Sequence, residues 1–346
     1  MAILTCAELP QIHYTAEGLF KDSAKKQDYV ARVGAVNAII ENTTANIQLL
    51  DANGKKRKAK IFWNKNCDNT VVDCATTPID LCALTGPESD AACKEYEVTG
   101  CLSKSFSVDG KLYETSNLTS NEVFADNLLK TAKVLDEAIS KAVIAKINGF
   151  VSLNAFTGGL GCPDTANNWI KTFINPSYWT PEIYGYLLQV ANINDFTNPF
   201  LLDGDNLYMQ HFKAMNNARN ADGSGAKAMI ESIKYYEDMV NMGAVNGTER
   251  KTYLIDRGSL AFSSYALWSK NGMTNPLEHG AGKTKFSMPS KNIAGLVYDV
   301  YTETVCSDEY EKTTVTLKAN FDLFNGAEAC NGSTGVLQLV CGACPA

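Results

Sequence analysis

The sequence predicts an α+β chain, and three features carry that expectation. A helical stripe runs unbroken from about 120 to 149. Strand-like pieces with turn punctuation fill about 36 to 112, and strands dominate again from Gly295 onward. Length and charge set the frame. At 346 residues the prior is two domains. Lys and Arg number 31 and Asp and Glu 38, so 31 − 38 = −7. A dedicated nucleic-acid binder would show a basic domain or stripe instead. Hydrophobic residues at 45% and charged residues at 20% fit a folded chain and not a disordered one. No apolar stretch reaches the roughly 18 residues that span a bilayer, and the opening MAILTCAELPQIHY has neither the basic nor the apolar segment of a secretory signal.

Residues 1–35 read as a polar arm with one short helix. Ala45 to Leu50 and Lys58 to Trp63 then flank Asp51-Ala-Asn-Gly54, and an Asn-Gly between two such runs signals a hairpin. The Lys55 to Lys58 run reads as a solvated hairpin tip, since no aromatic interleaves its charges as a nucleic-acid surface would require. Residues 67–93 form an irregular insertion holding four cysteines. Alternation resumes over Lys94 to Val108.

The long helix opens on Thr119 and Glu122, a capping box in which each side chain satisfies an orphan amide. Phe124, Leu128, Ala132, Leu135, Ile139, Val143 and Ile147 follow at steps of three or four, which places them on one face. Thirty residues at 1.5 Å give about 45 Å, and Gly149 is the expected stop. Beyond it, Asn198 to Leu202 reads as a buried strand, with Asp205 capping a helix to about Ala218. A helix from Ser224 to Gly243, a strand Thr252–Asp256 and a short helix Ser259–Trp268 complete a compact α/β unit over about 183–275. Leu296–Val305 and Thr313–Phe324 make a long antiparallel pair.

Several tempting motifs fail on their chemistry. Gly280-Ala-Gly-Lys-Thr284 lacks the leading glycine of a phosphate loop, Leu277 standing there, and has no strand before it or helix after it. Gly158-Gly-Leu-Gly161 runs into Cys162-Pro163, which cannot open a dinucleotide-binding helix. Asp203/Asp205 read as a turn and a cap, Asp308/Glu309 as loop charge. Cys162 with His211 would need a shared site that sequence cannot supply. The three histidines leave little room for histidine-based metal or triad chemistry. Asn117, Asn246 and Asn331 are glycosylation sequons by pattern alone. No catalytic residue, cofactor or enzymatic activity is expected.

The 11 cysteines are an odd number. Cys67, Cys74, Cys82, Cys93 and Cys101 are spaced too widely for a zinc site, whose ligand pairs lie two to four apart. Cys341-Gly-Ala-Cys344 is open to three readings: free or buried thiols, a disulfide, or half a metal site. No metal is expected; Cys330, Cys341 and Cys344 are where one would sit.

The order of elements carries a resemblance. A polar arm, a hairpin excursion, a lone spine helix, an α/β unit and two closing strands resemble the major capsid proteins of tailed bacteriophages, whose fold is shared by encapsulin shells. The likeness rests on Asn121-Glu-Val-Phe-Ala-Asp-Asn-Leu-Leu129 with its continuation through Val134-Leu-Asp-Glu137 to Gly149, on Asn198-Pro-Phe-Leu-Leu-Asp-Gly-Asp-Asn-Leu207, and on Tyr253-Leu-Ile-Asp-Arg257. The lead into Ser105-Phe-Ser-Val-Asp109 is similar to capsid proteins of phages of gut Bacteroides-type hosts.

The resemblance implies an N-terminal arm (1–35) and an extended loop lying over an adjacent subunit (36–112). It implies a peripheral domain (113–182 and 281–346, spine helix 120–149) and an axial domain (183–280) meeting its neighbours at the pentamer and hexamer centres. It further implies a structural subunit of an icosahedral head enclosing double-stranded DNA without sequence specificity. Its partners would be further copies of itself and separate scaffolding, portal and decoration proteins, with no membrane. Assembly would occur in the host cytoplasm, and the mature location would be the virion. The alternatives are an encapsulin-like compartment shell and a soluble ligand-binding or hydrolytic α/β protein with its site in the 183–275 unit.

Overall fold

The structure is a computed structural model. It describes residues 9–21, 26–44, 46–52, 56–65, 90–109, 119–151, 161–163, 171–174, 179–180, 183–220, 231–242, 250–267, 277–278, 282–307, 310–326 and 334–341. The helices are α1 (Leu9–Lys21), α2 (Lys26–Tyr29), α3 (Gly34–Asn42), α4 (Ser120–Ile147), α5 (Ile183–Ile193), α6 (Tyr208–Asn220) and α7 (Met239–Met242). The strands fall into three sheets, introduced below with the helices that cover them.

The spine is α4. Thr119 and Glu122 form the expected capping box, Glu122 Oε2 accepting from Thr119 N at 2.9 Å and Thr119 Oγ1 from Glu122 N at 3.4 Å. Its 28 residues make a helix about 42 Å long. All seven stripe residues are buried, from Phe124 to Ile147. The stop differs from expectation. The chain tightens into a 3-10 turn, Asn148–Phe150, and Gly149 sits inside that turn without a left-handed backbone.

Against the spine lies a sheet of order β10-β14-β13-β12-β11, with β4 on the other side of β14. These strands are β4 (Gly100–Asp109), β10 (Leu260–Tyr265), β11 (Leu277–Glu278), β12 (Lys283–Pro289), β13 (Val297–Ser307) and β14 (Tyr310–Asn325). In β14 the alternating Val315, Leu317, Ala319, Phe321 and Leu323 join the core of the spine. The short helix expected at Ser259–Trp268 is instead a strand. β14 outruns β13, which pairs only up to Ala319, and leaves the backbone of 320–325 open. β10 fills that edge from Leu260↔Asn325 to Tyr265↔Asn320. Gly258 makes the turn at φ 86, where a Cβ would meet Thr44 Oγ1 at 2.2 Å.

The second sheet has the order β5-β6-β15-β9-β7-β8. Its strands are β5 (Gly161–Pro163), β6 (Lys171–Ile174), β7 (Pro199–Asp203), β8 (Lys234–Glu237), β9 (Thr252–Asp256) and β15 (Val336–Cys341). α5 covers one face, packing Ile183, Tyr184, Leu187 and Val190 on Leu201, Leu254, Leu337 and Leu339. Two corrections follow. The helix expected from Ser224 to Gly243 is broken within the described residues by β8, which pairs parallel to β7 and uses Tyr235 and Tyr236 as aromatic strand formers. The division of the chain at 183 and 280 is also not how the sheets divide it. The 161–174 segment and the C-terminal β15 join this sheet, while β10 belongs to the other.

Among its described residues the expected polar arm is mostly helical, and several of its apolar side chains are buried. Ile12, Ala16, Tyr29 and Val33 enter the spine core, and so do Ala35, Val36, Ala38 and Ile39 of α3. The excursion therefore begins after α3, not at 36. α3 docks closely: a Cβ on Gly34 would stand 2.6 Å from Glu237 O. Asp238 Oδ2 accepts from Ala35 N at 3.0 Å and Oδ1 from Asn241 N at 3.0 Å, so one carboxylate caps both α3 and α7. β1 (Asn46–Ala52), β2 (Lys56–Lys65) and β3 (Asp90–Glu97) form the third sheet, all antiparallel, and β1 and β2 are the expected Asn-Gly hairpin.

Candidate functional site

Asp203 is a heavily bonded carboxylate of the second sheet. It is fully buried at the end of β7. Oδ1 accepts from Thr252 Oγ1 at 2.6 Å and Asn206 N at 3.2 Å; Oδ2 accepts from Leu207 N and Tyr235 Oη, each at 2.9 Å. Four donors occupy its lone pairs, which makes it a clasp between β7, β9, β8 and the start of α6. The capping expected of Asp205 is thus performed by Asp203. Asp205 takes a left-handed backbone, φ 78, and faces Arg250 at 3.4 Å.

His211 of α6 is held rather than poised. Its Nδ1 lies on the Tyr184 hydroxyl, and its ring stacks on Tyr235 with centroids 4.1 Å apart and planes 10° apart. Burial pushes its pKa down and pushes the Tyr184 phenol up, so a neutral ring accepts from a protonated phenol. Cys162, the partner considered for it, has a side chain outside the described residues. Sequence reading missed Tyr184 and Tyr235, which only the sheet and helix packing bring to His211.

Gly282 turns at φ 69 directly into strand β12, not into a helix, consistent with rejecting a phosphate loop. Gly158–Leu160, Asp308/Glu309, the sequons at Asn117, Asn246 and Asn331, and the side chains of Cys330, Cys341 and Cys344 lie outside the described residues. Of the five clustered cysteines, Cys93 and Cys101 are described; both are exposed free thiols, as is Cys306. Among the described residues no group of His, Cys, Asp and Glu could hold a metal ion, and no helix is long and apolar enough to cross a membrane.

What the fold builds most deliberately is a hairpin arm with an anchored base. On one face of the third sheet, Ala59 and Ile61 pack with Val98, Tyr96 and Trp63 on Ala261, Tyr265 and Phe324 of the chain's own body. The Tyr96 ring meets that of Phe324 at a tilt, with centroids 5.0 Å apart, and its hydroxyl donates to Asn325 O at 3.3 Å. The opposite face aligns Lys58, Lys60 and Phe62 of β2 with Glu97, Glu95 and Cys93 of β3. Lys58 and Glu95 pair there at 3.5 Å, both substantially exposed, so this pair adds little stability.

Between β3 and β4 the chain passes from arm to body at Thr99-Gly100, and Asp322 clamps the crossing. Its Oδ2 accepts from Thr99 N at 2.8 Å, Thr99 Oγ1 at 2.9 Å and Gly100 N at 3.4 Å. Its Oδ1 accepts from Leu323 N at 2.9 Å and from Lys146 of the spine. Burial would raise the Asp322 pKa, but the Lys146 ammonium and these donors outweigh it and hold it below the usual carboxylate value. Gly100 is required here, since a Cβ would meet Phe321 O at 2.2 Å. Arm, sheet and spine thus converge on one carboxylate. Sequence reading missed it because the pairing Lys146–Thr99–Asp322 joins three distant segments.

No family model matches the sequence, and no curated protein matches it. In shape it is similar to several solved phage structures. One is described as Mycobacterium phage Che8, at 10% identity and TM-score 0.43, covering 85% of this chain and 92% of that one. Another is the capsid structure of the Cyanophage P-SCSP1u, at 8% identity and TM-score 0.45, covering 88% and 89%. A third is the mature capsid of bacteriophage PhiM1, at 10% identity and TM-score 0.41, covering 83% of each chain.

Proposed function

We propose that the chain is a structural subunit: the major capsid protein of a tailed bacteriophage, assembling with copies of itself into an icosahedral head around double-stranded DNA. The observation that carries this reading is the arm. A three-stranded sheet leaves the body between α3 and β4, and its base is fixed to the body by Asp322 and by the Phe324 cluster. Its far face of charged and apolar side chains stays exposed. In this reading that exposed face serves contact between subunits.

The rigid part fits the same role. A spine about 42 Å long lies over a sheet whose core residues it shares, which gives a stiff plate that neighbours can bear against. In this reading the arm lies over an adjacent subunit, the second sheet with α5 and α6 is the axial part, and hexamers and pentamers are the assembly units. Scaffolding, portal and decoration proteins would be separate chains, assembly would take place in the host cytoplasm, and no catalytic step or cofactor is assigned. Many modest contacts suffice, because a closed shell multiplies them.

Negative-stain microscopy and sedimentation of the purified full chain test the reading. Capsomer rings or closed shells support it, and a monodisperse monomer under all assembly conditions rejects it. Shells containing protein cargo rather than DNA would identify an encapsulin-like compartment instead.

A further inference from the structure

Asp136 lies in the middle of the spine on its buried side, one turn past Ala132, and is fully buried. Its carboxylate gathers the side chains of the 290–296 turn and β13. Tyr298 Oη donates to Oδ1; Ser290 Oγ lies 3.2 Å from Oδ1 and 3.0 Å from Oδ2; Asn292 Nδ2 donates to Oδ2 at 2.9 Å. Asn292 in turn holds the N-terminal segment. Its Oδ1 accepts from Ala31 N at 3.0 Å, its Nδ2 reaches Tyr29 O at 3.3 Å, and its carbonyl accepts from Asn37 Nδ2 at 2.9 Å. One buried carboxylate therefore orients the residue that latches the 29–37 stretch to the body.

The charges around it are committed elsewhere. On α4, Lys133 donates to Gln27 O, and Asp126 takes Tyr29 Oη and Lys130; Glu137, next in sequence, adds like charge. On the turn, Lys291 pairs with Glu17 at 2.9 Å, and Glu17 also faces His13. From β13 comes only the neutral Tyr298 phenol, and from β8–α7 Asp238, engaged with Ala35 and Asn241. Asp136 thus meets neutral donors and no cation among the described residues.

We propose that Asp136 is a proton-dependent latch: protonated, it keeps the N-terminal segment closed on the spine, and ionised, it favours release of that segment. The reason is the cost of a buried charge with no countercharge. Opening the segment lets water reach the carboxylate, so the open form ionises at an ordinary value and the closed form at a higher one. Burial, only partly offset by the three donors, raises the closed-form pKa to about 6 from 3.8. The sign follows. The closed form binds the proton more tightly, so closure is fully favoured below about pH 4 and weakens as pH rises to the closed-form value. The gap between 3.8 and about 6 corresponds to at most about a 160-fold change in the closed-to-open ratio, most of it between pH 4 and pH 6.

The test is amide hydrogen exchange of residues 26–42 in the full chain from pH 5 to pH 8, corrected for intrinsic rates, beside a carboxyl-carbon titration of Asp136. In the native chain, protection of this segment should fall about ten-fold over the range while the second sheet stays unchanged, and the Asp136 titration should centre near 6. Asp136→Asn should flatten the response at high protection, and His13→Asn should leave it intact. Pairing Asp136→Asn with the unmodified chain keeps the test decisive even if the variant does not fold. Constant protection, a carboxyl that titrates near 4, or a response that vanishes with His13→Asn would each overturn the proposal.

Discussion

Replacing Asp322 with alanine should detach the arm from the body without unfolding the body. The carboxylate accepts from Thr99 N, Thr99 Oγ1, Gly100 N and Leu323 N and pairs with Lys146. In Asp322→Ala the Leu323 amide is left buried with no acceptor, and an orphaned buried donor costs about 1–3 kcal/mol. Thr99 and Gly100 are nearer the surface, so water recovers part of their loss, about 1 kcal/mol remaining for each. Lys146 is a third exposed and reaches solvent, so its loss weighs least. The total is about 3–5 kcal/mol, and Asp322→Asn, which keeps one acceptor oxygen, should lose about half of that. Urea unfolding gives the stability change, and amide exchange over 90–109 locates it. The native pKa lies below the unfolded value, so the clamp's contribution is present above about pH 4 and lost as pH falls through the native value. An Asp322→Ala change under about 1 kcal/mol, with exchange at Thr99 and Gly100 unaltered, would refute the clamp.

Leu135→Ala, which removes a buried spine side chain, should cost about 2–5 kcal/mol in urea unfolding, and Leu135→Asp should yield no soluble subunit. Gly34→Ala should destabilise by about 1–3 kcal/mol, because the new methyl meets Glu237 O; a neutral effect would mean α3 does not dock as described. Alkylation of the native, unassembled chain followed by mass mapping should modify Cys93, Cys101 and Cys306, and protection of any of them would contradict its exposure. On non-reducing gels of assembled particles, a ladder of covalent multimers would mean that such thiols cross-link neighbouring chains.

The long helix was legible because its signals are local: a capping box at its start and a stripe repeating every three or four residues. The β13–β14 pair was legible for the same reason, its alternation running through Val315 to Leu323. What sequence missed depends on distant partners. Ser259 to Trp268 reads as a short helix from its local pattern, and the open edge of β14 makes Leu260–Tyr265 a strand instead. Lys234–Glu237 is likewise a strand because β7 stands beside it. The N-terminal segment looked polar because its buried residues are scattered among polar ones, Ile12, Ala16 and Tyr29 among them. Asp136 carried a visible signal, a carboxylate four residues past Ala132 on the apolar stripe, whereas nothing near Asp322 announces Thr99 or Lys146.

The most direct measurement is a cryo-electron microscopy reconstruction of particles assembled from the full chain, resolved well enough to trace β1–β3. The expected result is a closed shell in which the exposed face of Lys58, Lys60, Phe62 and Glu95 rests on an adjacent copy, while Tyr96 and Asp322 hold the arm's base to its own body. The contradicting result is a chain that stays monomeric under all conditions, or particles in which that face touches no neighbour.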